Sequence, residues 1–351
     1  MAGQQAPAAH PQLTDTLAAR RRIAGHIRET PLTLSPSLSA RHGAPVYLKC
    51  EHHQITGAFK LRGATNAVLS LTPEERARGV TAASTGNHGR ALAHAARSAR
   101  ARCIVCMSAL VPRNKVEAIE ALGAEARIVG LSQDDAQVEV DRLVAEDGMI
   151  ALPPFDHFDI IAGQGTLGME MLEQLPEADT LVVPLSGGGL IAGVAMAAKT
   201  MKPEIHIVGV SMRLGAAMHD SLVAGRPVAV EELPTLADSL GGGIGLNNRH
   251  TFAMVHTLVD DMVLVDESEI AEAIRHAYLE ERQIIEGGGA VGIAALLQAP
   301  RPGNLRPWGT TILLLSGGNI DMALHRRIVA GENPDLLAER QAREAAERRH
   351  A

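Results

Sequence analysis

Three short segments of this chain hold the residue types that chemistry on an amino group would need. In His52-His53-Gln54-Ile55-Thr56-Gly57-Ala58-Phe59-Lys60-Leu61-Arg62-Gly63-Ala64, one lysine stands behind a turn of small residues and ahead of a helix-forming run. Lysines are mostly exposed, but Gly57-Ala58 permits close packing, and Phe59 is one of only four phenylalanines. A lysine partly desolvated there has a lowered pKa and can attack a carbonyl as a neutral amine. In the second segment, Ser186-Gly187-Gly188-Gly189-Leu190 follows an apolar run and opens the helical pattern Ile191-Ala192-Gly193-Val194-Ala195-Met196. Its glycines let several N–H groups converge on one point at a helix start, which suits a phosphate; a tight strand-to-helix turn asks for the same residues. The third segment, Ser84-Thr85-Gly86-Asn87-His88-Gly89, has the same layout. Its N–H groups and hydroxyls suit a carboxylate, and its Ser, Thr and Asn serve equally as a helix N-cap cluster. Ser316-Gly317-Gly318-Asn319 ends the last apolar run, where a serine can meet a ring nitrogen or simply close a turn.

Other chemistries fit less well. Gly187, Gly189 and Ala192 satisfy G-x-G-x-x-A, but the following strand ends Val208-Gly209-Val210-Ser211-Met212, without the acidic residue that a dinucleotide ribose needs. Cys103 and Cys106 lie three apart on an expected strand, so their side chains point to opposite faces. No second cysteine pair accompanies them. His52-His53 lacks an HExxH pattern, and neighbours on a strand cannot share one side, so no metal site is expected.

These segments need a scaffold of strands whose ends meet. Val46–Cys50, Gly79–Ala83, Cys103–Cys106, Thr180–Pro184, Ile205–Val210 and Thr311–Leu315 read as strands. Helical patterns over 90–100, 113–122, 163–174, 190–201 and 267–281 alternate with them. The βαβα rhythm predicts an α/β fold of parallel sheets covered by helices on both faces, one sheet fed by residues near 80–150 and one by the rest. With 351 residues the chain can bury a core large enough for two lobes. Aromatic residues are only 2%, so that core must be built from Leu, Ile, Val, Met and Ala. A net charge of −7 leaves no basic excess for a nucleic acid. Three cysteines make no disulfide framework, which fits a reducing cytoplasm. No apolar run reaches the roughly 18 residues of a membrane span, and the first residues do not read as a signal peptide.

Taken together, the segments resemble the fold-type-II pyridoxal-phosphate enzymes, in the serine/threonine dehydratase and serine racemase branch. The resemblance runs from about Arg20 to Ile328 and includes Arg28-Glu29-Thr30-Pro31-Leu32 and Lys115-Val116-Glu117-Ala118. It implies a tryptophan synthase β-like fold with two parallel-sheet domains: 15–78 with 156–330 forming a large cofactor-binding domain and 79–155 a small one. A loose N-terminus, 1–14, and a charged C-terminal helix or tail, 331–351, flank them. The cofactor implied is pyridoxal 5'-phosphate. Lys60 would be the Schiff-base lysine, Phe59 its neighbour at the cofactor, and Asn87 the partner of the cofactor's 3′ oxygen. Ser186, Gly187, Gly188, Gly189 and Leu190 would hold the phosphate, and Ser316 would face the ring nitrogen. Ser84, Thr85, Gly86 and His88 would grip the substrate carboxylate, and Glu286 matches a family glutamate close to the cofactor. The activity implied is α,β-elimination from a β-hydroxy α-amino acid by a homodimer.

Departures from the family pattern bear on specificity. Ala58 stands where the family usually has serine. Thr85 stands where racemases carry a serine acid/base and threonine dehydratases an alanine, which keeps racemase activity open. Ser211 replaces a metal-binding glutamate, and a second carboxylate position falls on Ala217. Arg62-Gly63-Ala64-Thr65-Asn66-Ala67-Val68-Leu69-Ser70-Leu71 and Ile285-Glu286-Gly287-Gly288-Gly289-Ala290 resemble the hydroxyectoine-utilisation dehydratases. Intact hydroxyectoine has no primary α-amine, so that resemblance points to a ring-opened 3-hydroxy-2,4-diaminobutyrate or a γ-acyl derivative. A reading of a different class, a cofactor- or nucleotide-binding protein without catalysis, leaves Lys60 without a purpose.

Overall fold

The computed structural model describes residues 9–84, 86–109, 111, 113–298 and 307–350. Among these residues, ten strands build two sheets: β1 Leu32–Leu34, β2 Val46–Cys50, β3 Val80–Ala83, β4 Cys103–Met107, β5 Glu125–Ile128, β6 Ile150–Ala151, β7 Thr180–Pro184, β8 His206–Met212, β9 Asp261–Val265 and β10 Thr311–Leu315. The larger sheet runs β1-β2-β10-β7-β8-β9 and the smaller β5-β4-β3-β6. Every pairing is parallel except that of β1 with β2. β3, β4, β7 and β10 are buried along their whole length, which is why they read as unbroken apolar runs rather than alternating ones. On β4, Cys103 joins one apolar cluster and Cys106 another across the sheet, so the two thiols do point apart.

Small residues compensate for the scarcity of rings. The helices Phe158–Gln174 and Gly189–Met201 pack at backbone distance, because a Cβ on Gly193 would sit 2.4 Å from the Ile161 carbonyl oxygen. Gly163 brings the first of them equally close to the helix Lys60–Ser70, where a Cβ would fall 2.7 Å from Gly63 Cα. The helix that bears the reactive lysine and the helix that leaves the glycine cradle are thus both fixed against Phe158–Gln174, which lies between them.

Two expectations change. The first helix begins at Leu13, inside the segment expected to be loose, because Gln12 N–H donates to Asp15 and closes its N-terminus. His52 and His53 lie on a 3-10 turn, Glu51–His53, not on a strand. Their rings are therefore neighbours, 4.1 Å apart, and share one side with Cys50.

Candidate active site

In parallel sheets, ligands collect beyond the carboxyl ends of the strands. Here β2 leads to Lys60, β3 to Ser84, β7 to Ser186 and β10 to Ser316, so all four segments meet at one edge. They line a cleft of about 1370 Å³ between the two sheets, together with Phe59, Gly86, Asn87, His88 and Glu286. Thr85 lies outside the described residues. Pro153, Pro154 and Phe155 form one wall, and Asp238 to Gly243 form another. The cleft also takes in Lys115, from one of the segments that carry the resemblance, and residues that the sequence reading left out, among them Glu232 and Arg327.

The turn that carries Lys60 is tied to the end of β10. Phe59 N–H donates to Ser316 O at 3.0 Å, Gly318 N–H donates to Gly57 O at 2.9 Å, and Ala58 bridges Gly317. Lys60 Nζ donates to the Pro154 carbonyl at 2.7 Å and sits 5.3 Å from the Phe59 ring centre. Burial disfavours its charge and pulls its pKa down to about 8, against an upward pull from Glu286. An amine at that value is a usable nucleophile near neutrality. The rate at which apoprotein captures pyridoxal phosphate is therefore expected to rise with pH up to about 8 and flatten above it. Stopped-flow absorbance checks this; a rate still climbing toward the ordinary lysine value of about 10.4 contradicts it.

The anion cradle has the geometry that its glycines allow. Gly188 adopts φ +90°. A Cβ on Gly187 would strike the Phe155 ring at 2.4 Å, and one on Gly189 would strike the Phe155 carbonyl oxygen at 2.7 Å. The first turn of the helix Gly189–Met201 has N–H groups with no carbonyl ahead of them, and its positive dipole end faces the same point.

Glu286, 4% exposed, is held by Asn87 Nδ2–H at 2.7 Å and by the Asn319 backbone N–H at 3.1 Å. Burial, then the negative charge of Asp238, raises its carboxyl to about 7. Ser316, 3% exposed, directs its hydroxyl weakly at Gly288 O, 3.4 Å away.

His88 departs from its expected part. Its Nε2 is 2.7 Å from Leu152 O, a group that can only accept, so the ring proton is on Nε2 and turned away from any substrate. Burial, then Lys60, pushes its pKa to about 3, so the ring is neutral. What His88 can offer a carboxylate is its backbone N–H. Ser84 Oγ accepts from Gly89 N–H at 3.0 Å and so shapes the loop, as an N-cap would.

Fold and site together define an enzyme class built around an aldehyde cofactor with a phosphate tail. The model of the pyridoxal-phosphate dependent enzyme family matches residues 23–317, and the chain belongs to that family. It is 59% identical over 314 residues to a Sinorhizobium fredii protein provisionally assigned as a threonine dehydratase, covering 89% of this chain and 93% of that one. It is 39% identical to L-threonine ammonia-lyase of Thermotoga maritima, over 90% of this chain and 78% of the relative. Maize serine racemase superposes with a TM-score of 0.86 at 32% identity, covering 98% of this chain and all of that one.

The cofactor is pyridoxal phosphate, and the residues present fit it. A lysine with a lowered pKa suits the aldehyde, a cradle with no room for a Cβ suits the phosphate, and amide and hydroxyl groups remain for the ring oxygen and nitrogen.

Proposed function

We propose that this protein is a lyase that eliminates water and then ammonia from a β-hydroxy α-amino acid, in the manner of threonine dehydratase. The observation that carries the reading is the meeting of the Lys60 amine, the Ser186–Leu190 cradle, the Asn87–Glu286 pair and Ser316 in one cleft. Bound pyridoxal phosphate supplies a carbonyl for amines and a sink for negative charge at the substrate Cα. Lys60 would hold the cofactor through its amine and, with substrate bound, would be the base for the Cα proton. Ser84, Gly86 and the backbone of His88 hold the substrate carboxylate. Ser316 would meet the ring nitrogen with a neutral hydroxyl, which would not keep that nitrogen protonated as a carboxylate would and so would favour prompt loss of the β-hydroxyl over slower transamination. Glu286, near its midpoint at neutral pH, can hold or give a proton beside Asn87.

The substrate we favour is a ring-opened hydroxyectoine product, 3-hydroxy-2,4-diaminobutyrate or its γ-acyl derivative. Glu232 on the cleft wall supplies negative charge for a second amine. The protein would act as a cytoplasmic homodimer. A second reading, racemisation, is favoured by the likeness to maize serine racemase and by the threonine at position 85.

A panel of L- and D-β-hydroxy amino acids, assayed for ammonia, 2-oxo acid and epimerised substrate, tests all of this. The lyase reading expects equal amounts of ammonia and oxo acid. Epimer without oxo acid favours racemase, and neither product removes both. Turnover of intact hydroxyectoine with no hydrolase present would rule out the ring-opened substrate.

A further inference from the structure

Asn319 sits at the end of the Ser316–Asn319 turn, and its hydrogen bonds reach four residues in three other segments. Its side-chain Nδ2 donates to Thr56 O at 3.0 Å and to Asn87 Oδ1 at 2.6 Å. Its Oδ1 accepts from Arg90 Nη1 at 3.0 Å, and its backbone N–H donates to Glu286. Gly57, at φ +77°, leaves the space for this side chain, since a Cβ there would lie 2.6 Å from Asn319 Oδ1.

The direction of each bond follows from what each partner can do. A backbone carbonyl only accepts and a guanidinium only donates. Thr56 O and Arg90 therefore fix which end of the Asn319 amide is which. Asn319 then presents an N–H to Asn87, so the Asn87 oxygen must face it. The Asn87 NH2 is left facing Glu286 and the cleft. One of its two N–H groups goes to Glu286; the other is the group that can meet a ring oxygen. Without Asn319 the Asn87 amide could turn over and offer an oxygen to an oxygen.

We propose that Asn319, oriented by Arg90, is a positioning residue that sets the Asn87 amide so that it donates to the 3′ oxygen of pyridoxal phosphate. This rests on the reading that places Asn87 beside that oxygen. The donor favours the form of the cofactor with negative charge on its 3′ oxygen, so its loss should change the cofactor's electronic state and its retention.

The test uses holoenzymes of the wild type, Asn87→Ala, Asn319→Ala, Arg90→Met and the double variant Asn87→Ala/Asn319→Ala. The absorption bands of the bound cofactor are followed across pH, and cofactor release is followed on dilution. Asn319→Ala is expected to shift the balance of the bands in the same direction as Asn87→Ala and to speed release by about tenfold, the scale of one hydrogen bond to a charged group. Arg90→Met, which leaves Asn319 in place but removes one of the two bonds that fix its amide, should shift the bands the same way to a smaller extent. The double variant should be no worse than Asn87→Ala alone, because Asn319 acts through Asn87. Bands that move with Asn87→Ala but not with Asn319→Ala or Arg90→Met overturn the proposal, and so do additive effects in the double variant. If Asn87→Ala leaves the bands unmoved, the placement of Asn87 is wrong and the proposal falls with it. A holoenzyme without any cofactor band would instead overturn the wider reading.

Discussion

Lys60→Ala is expected to lower turnover by at least about a thousandfold and to abolish the absorption band that borohydride removes from the wild type, without loss of fold. The catalytic loss follows from position. Lys60 lines the cleft, and in the proposed mechanism its removal takes away both the covalent anchor and the group that carries the Cα proton. Retention of the fold follows from energetics. The amine makes one hydrogen bond, to Pro154 O, in surroundings that lower its pKa to about 8. A lysine whose folded pKa lies below its unfolded value opposes folding wherever it must stay charged. That penalty is complete below pH about 8 and vanishes above the unfolded value of about 10.4. The melting temperature of the variant at neutral pH should therefore equal or exceed that of wild-type apoprotein, and the difference should shrink as pH rises between those values. Lys60→Arg keeps a cation but supplies no neutral amine, so it should be as inactive as the alanine variant. Turnover by either variant within tenfold of wild type would remove Lys60 from the mechanism.

Most of the residues that meet in the cleft were legible in the sequence because, Glu286 excepted, they lie beyond a strand end marked by glycine or a small polar residue. Such turns are punctuation that survives without any knowledge of the fold. Orientation was not legible. His88 stands beside the carboxylate loop in sequence, yet its ring proton goes to Leu152, a residue 64 positions away. Asn319 was visible only as the last residue of a turn, and its link to Asn87 spans 232 positions. The strands that escaped reading are β1, β5, β6 and β9. β5, Glu-Ala-Arg-Ile, is an edge strand with no fully buried residue, and β6 is two residues long, so neither leaves an apolar signature. The loop 228–236 had no motif, and it reaches the cleft through tertiary packing alone. Composition did foretell the core: with few rings available, it had to be built from Leu, Ile, Val, Met and Ala, and those types dominate the buried residues.

The buried charge network below Lys60 is the feature that sequence reading missed altogether, and Arg62→Met should expose its role. Arg62, fully buried, donates to Glu51 at 2.7 and 2.9 Å and to Glu170 at 2.7 and 2.9 Å. Lys49, also fully buried, completes the group by bonding Glu170 and the Thr30 carbonyl. The network joins β2 and the helices Lys60–Ser70 and Phe158–Gln174, so it holds the N-terminus of the Lys60 helix on the larger sheet. A buried pair gains little over an apolar pair, but breaking one leaves a bare charge in a dry place, at a cost of about 3–5 kcal/mol. Arg62→Met should lose roughly that much in denaturant unfolding of the apoprotein. Adding Glu51→Gln to Arg62→Met removes one stranded carboxylate and should recover part of the loss. The pH response should also change sign. Burial alone would raise the Glu170 pKa, but Arg62 and Lys49 bring it below the ordinary value. Its contribution in the wild type is thus present above about pH 4.3 and fades as pH falls through the lower folded value. In Arg62→Met, Glu170 loses that partner and keeps only Lys49, so burial weighs more, protonation relieves it, and the deficit against wild type should narrow as pH falls from about 7 to 5. A deficit that is constant across that range would mean that the loss is one of packing rather than of charge.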